Sequence, residues 1–467
     1  MRIGTRKPRK RARLFLFVLI AVLVGGGLWL ALRVGPPPVV GLETDRAAIG
    51  KATTVIASFS EPAHGLGKIR LELIQGDRVE VLDQQTLTRG SLVPWSGDHG
   101  TAEVVLTEIV GTTTLDWLED GDVVLRAIAD RSVGFLRRGA PVVAEMVLPV
   151  RLRPPRLELL SSQHYGSQGG SGAVRYRVGE TAIRSGVRAG AHESSGSRLD
   201  EGDRDEAFAI FALPWDLSDS GEIRLFAEDD AGNRVELPFL DLFKPKAEKV
   251  DTIRLSDAFF ERVVPAIASR TPSFDDSGTP LDQYLFINGN LRRAELDRVV
   301  ELAKHSEPAF LWQGSFLQMA NSALKANFAQ TRKYLYDGRE VDRQTHLGLD
   351  LASTARAAVP APNSGRVVFA GWLSLYGNAV VIDHGFGLFS LYAHLSSIGV
   401  ETGARVNKND TIGKTGVTGL AVGDHLHFGM MVNDTFVNPV EWWDSHWIND
   451  NILTKLKLVE AAADTGN

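Results

Sequence analysis

His346-Leu-Gly-Leu-Asp350 is followed 75 residues later by His425-Leu-His427, and the reading of these two short segments decides the fold of the C-terminal part of the chain. In an extended strand, alternate side chains share a face. His346, Gly348 and Asp350 would then point one way, and Leu347, Leu349 and Leu351 the other. In the second segment His425, His427 and Gly429 oppose Leu426, Phe428 and Met430. Both segments therefore read as strands with an apolar back and a polar front. Glycine on the polar front leaves room for a close approach to the backbone.

The polar fronts carry a chemistry. Two imidazoles and a carboxylate suit zinc, and a catalytic zinc site uses three protein ligands and keeps a fourth position open. Such a metal lowers the pKa of water to roughly 7 and so provides a nucleophile at neutral pH. Four candidates, His346, Asp350, His425 and His427, exceed three ligands, which leaves one for proton transfer. The bland alternative is a helical H-x-x-x-D pair forming a solvated salt bridge, beside a surface H-x-H strand. Gly348 and the strict apolar alternation argue against it.

A third element lies between the two. Tyr376-Gly-Asn378 opens the apolar run Ala379-Val-Val-Ile382, and Asp383-His-Gly-Phe-Gly387 turns. Leu388-Phe-Ser-Leu-Tyr-Ala393 then ends at His394. Two runs joined by a glycine-bearing turn read as a hairpin, with His394 at a strand end within reach of the metal.

In this order, H-x-x-x-D, Y-G-N-x-V-x-I-D-H-G, Y-A-H-L-S and H-L-H-F resemble the lysostaphin/LytM-type zinc metallopeptidases, which cleave peptide bonds in bacterial peptidoglycan. The resemblance covers roughly residues 330 to 443. It implies that His346, Asp350 and His427 are the zinc ligands. It implies that His394 and His425 are catalytic histidines that orient or deprotonate water and stabilise the oxyanion. None of the five positions departs from the family pattern. The resemblance also suggests that Asn327 and Phe328 lie where some latent relatives place a segment occluding zinc, although ordinary linker packing is the simpler expectation.

The other histidines carry less. His384, in the hairpin turn, is expected in a structural or rim role. His446, beside Trp442 and Trp443, reads as a packed terminal histidine, and His305 suits a helix C-terminus. His64, His99, His164 and His192 are scattered through loop-like sequence. Tyr376, Asn378, Tyr392 and Thr418 are candidates for the groove wall or for structure.

At 467 residues the chain exceeds one ordinary core, so two to four domains are expected. It has no cysteine, which excludes disulfides and thiolate metal sites. Residues 2 to 13 carry seven basic side chains (Arg2, Arg6, Lys7, Arg9, Lys10, Arg11, Arg13) and no acid. Leu14 to Leu32 is uncharged and mostly apolar, spanning about 28 Å as a helix, close to a bilayer core. The basic flank predicts a cytoplasmic N-terminus with the rest outside. A cleaved signal peptide is the alternative, but the apolar run continues through Leu28-Trp29-Leu30 and no A-x-A site follows. Eight of the 51 Lys+Arg lie in the first 33 residues, so the whole-chain charge of −6 becomes −14 for the remainder. An acidic body excludes nucleic acid as an expected partner.

The expected architecture is mainly β: a membrane-anchored multidomain chain with two immunoglobulin-like β modules, a helical connector and a C-terminal antiparallel β-sheet LytM-type peptidase domain. Residues 1–13 form a cytoplasmic basic tail and 14–32 the transmembrane anchor, left by way of Gly35-Pro-Pro-Pro38. Residues 39–152 show short β runs (Thr53 to Phe59, Ile69 to Ile74, Ala102 to Leu106, Asp122 to Ala129, Val142 to Val150) and read as a β-sandwich, closed by Arg153-Pro-Pro155. Residues 156–244 form a second module, whose Asp-Asp-Ala-Gly-Asn233 turn loosely resembles that of bacterial immunoglobulin-like modules. Both modules are expected to act as spacers. Lys244 to Asp251 is a charged linker. The helical connector, 252–330, holds helical patterns at 256–270, capped by Ser256, and at 293–305. The peptidase domain is 331–443 and the C-terminal tail 444–467, with Val459 to Asn467 frayed.

The function expected is a peptidoglycan endopeptidase using zinc (Zn2+), held at the inner membrane by its N-terminal helix with the catalytic domain in the periplasm, and open to a protein regulator. Two alternatives compete: a non-enzymatic scaffold or activator of another wall hydrolase, and a metallopeptidase acting on a secreted protein. The peptide bond to be cut is not legible.

Overall fold

The computed structural model describes residues 9–91, 99–131, 136, 139–199, 205–272 and 274–456. They form two compact units, one reaching to Pro154 together with Asp229–Asn233, the other made of Pro155–Glu228 and Arg234 onward. The chain changes unit at the Pro154-Pro155 pair.

The first unit begins with the helix Arg9–Leu32, whose Arg13–Leu32 stretch is long and apolar enough to cross a membrane. Arg2, Arg6 and Lys7 lie outside the described residues. Two antiparallel sheets follow. One holds Val39–Thr44, Thr53–Ser60 and Glu103–Val110; the other holds Arg78–Thr86, Lys68–Gln75, Gly121–Ala129 and Val142–Val150. Alternation explains the layering: Val55, Ala57 and Phe59 of one sheet and Ile69, Leu71 and Leu73 of the other turn into one shared core.

In the second unit, residues 157–237 build two four-stranded sheets around Val174, Tyr176, Phe211 and Leu225. The strand Glu206–Ala212 is buried along its whole length, because both of its faces are apolar. Its second face, Phe208 and Ile210, joins a core with Trp312, Phe316, Met430 and Trp442. The segment expected as a free spacer is therefore packed into the same compact unit as the C-terminal domain.

The connector differs from expectation in three places. Lys249–Arg254, expected within or beside a charged linker, is a strand pairing in parallel with Gln330–Tyr336; its β-branched Val250, Thr252 and Ile253 suit extended backbone. A helix at Pro280–Phe286 lies between the two expected ones. Its signal is the capping box Thr279/Asp282 with proline at the first turn. Strands at Ala323–Ala326 and Gln330–Tyr336 start before the expected boundary at 331. Ser256 does cap its helix, accepting from the Phe259 amide at 3.3 Å.

The C-terminal domain is an eight-stranded sheet. Its hydrogen-bonded order is Ala323–Ala326, Leu349–Ala352, Leu426–Val432, Leu388–Leu395, Gly377–Gly385, Gly365–Leu373 and Arg405–Val406, with Thr435–Val437 paired to Leu426–Val432. All these pairings are antiparallel. One face buries Val380, Ile382, Tyr392 and Phe428. The other sets Val381, Leu391, Ala393 and Met431 against the helical residues Phe260, Val263, Ile267 and Val299. By alternation His427 belongs to this second face. Residues 444–456 are not a loose tail: short helical turns bury Ile448 and Ile452, four positions apart, beside Trp442. Val459 to Asn467 lie outside the described residues.

Candidate active site

The single extended strand expected from His346 to Asp350 does not form. The strand Arg339–His346 pairs with Gln330–Tyr336 and ends at His346. Leu347 and Gly348 step across, and Asp350 sits in Leu349–Ala352, directly opposite His427. The step needs glycine because the His427 ring lies against it. A Cβ on Gly348 would stand 2.6 Å from His427 Cε1 and 2.7 Å from Nε2. The close approach that the glycine allows is thus made by a histidine of the same site.

His346 Nε2 lies 3.0 Å from Asp350 Oδ1 and 3.0 Å from His427 Nδ1, and His427 Nδ1 lies 3.1 Å from Asp350 Oδ1. Ligand atoms of a tetrahedral zinc at about 2.0 Å stand roughly 3.3 Å apart. These three residues form a group that can hold a metal ion. The protonation pattern fits a cation. His346 Nδ1 is 2.9 Å from the Asn327 carbonyl, and a carbonyl only accepts, so Nδ1 carries the proton and Nε2 presents a lone pair. That lone pair faces a carboxylate oxygen and another imidazole nitrogen, a repulsive arrangement unless a proton or a cation lies between them. His427 Nε2 is buried without a hydrogen-bond partner, so Nδ1 is the nitrogen turned to the cluster.

His394 and His425 stand beside this group, with ring centroids 4.9 Å apart. His394 closes the strand Leu388–Leu395 with φ 63°, a left-handed conformation that costs a non-glycine residue of order 1–3 kcal/mol and clusters at functional sites. Its Nδ1 donates to the Thr418 carbonyl at 2.8 Å, leaving Nε2 as the acceptor. His425 Nδ1 donates to the Gly423 carbonyl at 2.7 Å, and its Nε2 is 3.5 Å from Asp350 Oδ1. All five residues singled out in the sequence meet in one place.

Electrostatics separates them. Burial disfavours the Asp350 carboxylate, but the imidazoles of His346, His425 and His427 set against it outweigh that and hold this carboxyl well below the usual range. Burial pulls His427 down to about 4 against the Asp350 hydrogen bond. Burial, with the neighbouring His425 and His427, holds His394 well below the ordinary imidazole value. Burial also opposes charge on His425, yet its hydrogen bond to Asp350 and that group's negative charge raise it.

The remaining candidates divide. Thr418 orients His394 through its carbonyl, and its hydroxyl donates to Leu395 O at 2.9 Å. The Tyr376 ring lies 5.7 Å from that of His427. Asn378 spends its amide on Leu395 O at 3.0 Å. Tyr392 is in the core, on the opposite face. His384 is at a strand end rather than the rim: it is fully buried, with Nδ1 donating to Ser364 O at 2.8 Å and Nε2 2.7 Å from Ser390 Oγ. His446 is exposed, not packed. Asn327 contributes its backbone carbonyl to His346. Sequence reasoning missed Arg332, whose Nη2 lies 2.5 Å from Asp350 Oδ2; its only signal is a charge in the alternating run Gln330–Tyr336.

Two histidines and an aspartate that could hold a metal ion thus converge beside two more histidines in a mainly antiparallel domain. Residues 344–439 match the model of peptidase family M23, and the C-terminal domain is a LytM-type peptidase domain. A DD-carboxypeptidase/endopeptidase, Mpg, of Neisseria meningitidis is 41% identical over 95 residues, 20% of this chain and 22% of that protein. The peptidoglycan DD-endopeptidase ShyA of Vibrio cholerae is 36% identical over 96 residues, 21% of this chain and 22% of that protein. The chain thus spans less than a quarter of the length of these relatives. The solved catalytic domain of lysostaphin from Staphylococcus simulans matches 28% of this chain and 98% of that domain, at 28% identity and TM-score 0.24.

Proposed function

We propose that this chain is a membrane-anchored, zinc-dependent endopeptidase that hydrolyses peptide cross-links of bacterial peptidoglycan. The observation that carries the reading is the convergence of His346, Asp350 and His427 within 3.1 Å of one another, with two further histidines presenting Nε2 beside them. The M23 match and the names of the relatives support the substrate class.

His346 Nε2, Asp350 Oδ1 and His427 Nδ1 would hold the metal. When bound, zinc would supply Lewis-acid polarisation of the scissile carbonyl and lower the pKa of the attacking water. His394 acts as the base. Its Nδ1 proton is committed to Thr418, its buried ring is held neutral, and Nε2 is the free acceptor. His425, tied through Nδ1 to Gly423 and drawn toward its charged form by Asp350, donates from Nε2 to negative charge developing on the substrate. The proton taken by His394 is the one the leaving amine needs. The apolar helix Arg13–Leu32, with its basic flank, supports anchoring at the inner membrane and a periplasmic site.

The test is to incubate the purified protein with peptidoglycan, with and without chelator, beside His427→Ala. Chelator-sensitive release of cleaved cross-links, absent in the variant, is expected. Equal behaviour of wild type and variant, with zinc bound to the wild type, would assign the domain to the scaffold class instead.

A further inference from the structure

Asp350 uses its two oxygens differently. Oδ1 faces His346 Nε2 at 3.0 Å, His427 Nδ1 at 3.1 Å and His425 Nε2 at 3.5 Å. Oδ2 faces away from that cluster and meets the Arg332 guanidinium at 2.5 Å. The pair is secluded, with 21% of the arginine side chain and 12% of the aspartate side chain exposed. Arg332 lies on Gln330–Tyr336, opposite Gln344, before the family-matched segment begins at residue 344. That strand is in turn paired with Lys249–Arg254.

We propose that Arg332 is a positioning residue for the metal ligand Asp350, supplied by the segment that precedes the peptidase family match. Resting on the zinc reading above, the inference is that Arg332 occupies Oδ2 and so makes Asp350 a one-oxygen ligand. A carboxylate free to rotate could offer both oxygens and fill the position the reaction needs open. It could also turn away from His346 and His427. Arginine suits the task because its guanidinium stays charged at any working pH and donates in a fixed plane. Lysine would hold the oxygen as a point charge with less angular control. A buried carboxylate oxygen left without a donor would also be strongly unfavourable. Outer contacts of this kind typically change metal affinity or activity by about 10–100-fold.

The competing reading is that Arg332 opposes the metal, as a cation seated against a ligand. The two make opposite predictions. Zinc binding to metal-free full-length protein in detergent would be measured by calorimetry for wild type, Arg332→Lys, Arg332→Gln and Arg332→Met. We expect affinity to fall by roughly 10–100-fold in Arg332→Gln and Arg332→Met, with partial recovery in Arg332→Lys. In zinc-saturated protein kcat should fall with little change in KM. Unchanged or tighter zinc binding in Arg332→Gln, with wild-type melting behaviour, would overturn the proposal. Should Arg332→Met and Arg332→Gln both fail to fold, Arg332→Lys decides: wild-type affinity and kcat in that variant also count against it. Wild-type protein that binds no zinc would defeat the function proposed above, and this inference with it. Wild-type protein that binds and cleaves while the variants match it defeats this inference alone.

Discussion

The buried histidines of the candidate site and the buried His384, on the hairpin that carries His394, meet their surroundings in opposite ways. At the site His346 ties Nδ1 to the Asn327 carbonyl and turns Nε2 toward Asp350 and His427, His427 turns Nδ1 toward both, and His394 ties Nδ1 to the Thr418 carbonyl with its ring beside those of His425 and His427. On the other side of the same hairpin, His384 has both nitrogens engaged, by Ser364 O and Ser390 Oγ, and Ser390 continues to the Tyr392 hydroxyl at 2.9 Å. Burial pulls His384 and His427 down alike, each to about 4. Burial and a depressed pKa therefore do not separate a histidine of the candidate site from a structural one. The distinction is whether the hydrogen-bond account closes: at His384 it does, and at His427 Nε2 is orphaned while Nδ1 faces other acceptors.

The comparison can be broken most severely at His427. His427→Ala should abolish stoichiometric zinc binding and lower turnover by more than the roughly 100-fold typical of an outer contact, as read by metal analysis and cross-link release. His394→Ala should keep its zinc and lose roughly 10²–10⁴-fold in kcat; loss of zinc together with activity would place His394 among the ligands. On the opposite face, His384→Ala should cost about 2–4 kcal/mol in denaturant unfolding, because it opens a cavity and removes the donor to the Ser364 carbonyl. Protein that remains folded should bind zinc as the wild type does. The last effect is the pH dependence of stability. A histidine held near 4 when folded but near 6.5 when unfolded binds fewer protons in the native state between those values. It therefore stabilises above 6.5 and loses that contribution as pH falls toward 4. The stability difference between wild type and His384→Gln should shrink across this window, and a difference flat from pH 7 to 4 would contradict the buried neutral ring.

Much of this contrast was legible in the chain. H-x-x-x-D, H-x-H and the hairpin ending in His394 name the five residues that meet at the candidate site, because ligand chemistry restricts residue type; the single strand read from His346 to Asp350 is not what brings them together. The mainly β character followed from alternation, as in Thr53–Ser60. What was not legible depends on contacts distant in sequence. Nothing local shows that the chain leaves one sheet after His346 and enters another at Leu349, or that Arg332 reaches Asp350. The segment 156–244 looked like an independent spacer because the second apolar face of Glu206–Ala212 reveals itself only against Trp312 and Met430. The helix Pro280–Phe286 was different: its Thr279/Asp282 cap stood in the sequence unread. His384 was placed in a turn, because its neighbouring glycines suggested one, whereas the strand continues through Gly385.

His346 and His427 are 81 positions apart and meet at 3.0 Å. In a chain without cysteine, a cation held between them would act as a removable cross-link, closing most of the C-terminal sheet into a loop. A covalent tie across a loop of that length reduces the entropy of the unfolded chain by the equivalent of roughly 4–5 kcal/mol. On the proposed zinc reading, the same residues would also clasp the strands Arg339–His346 and Leu426–Val432, and chelation would loosen the domain.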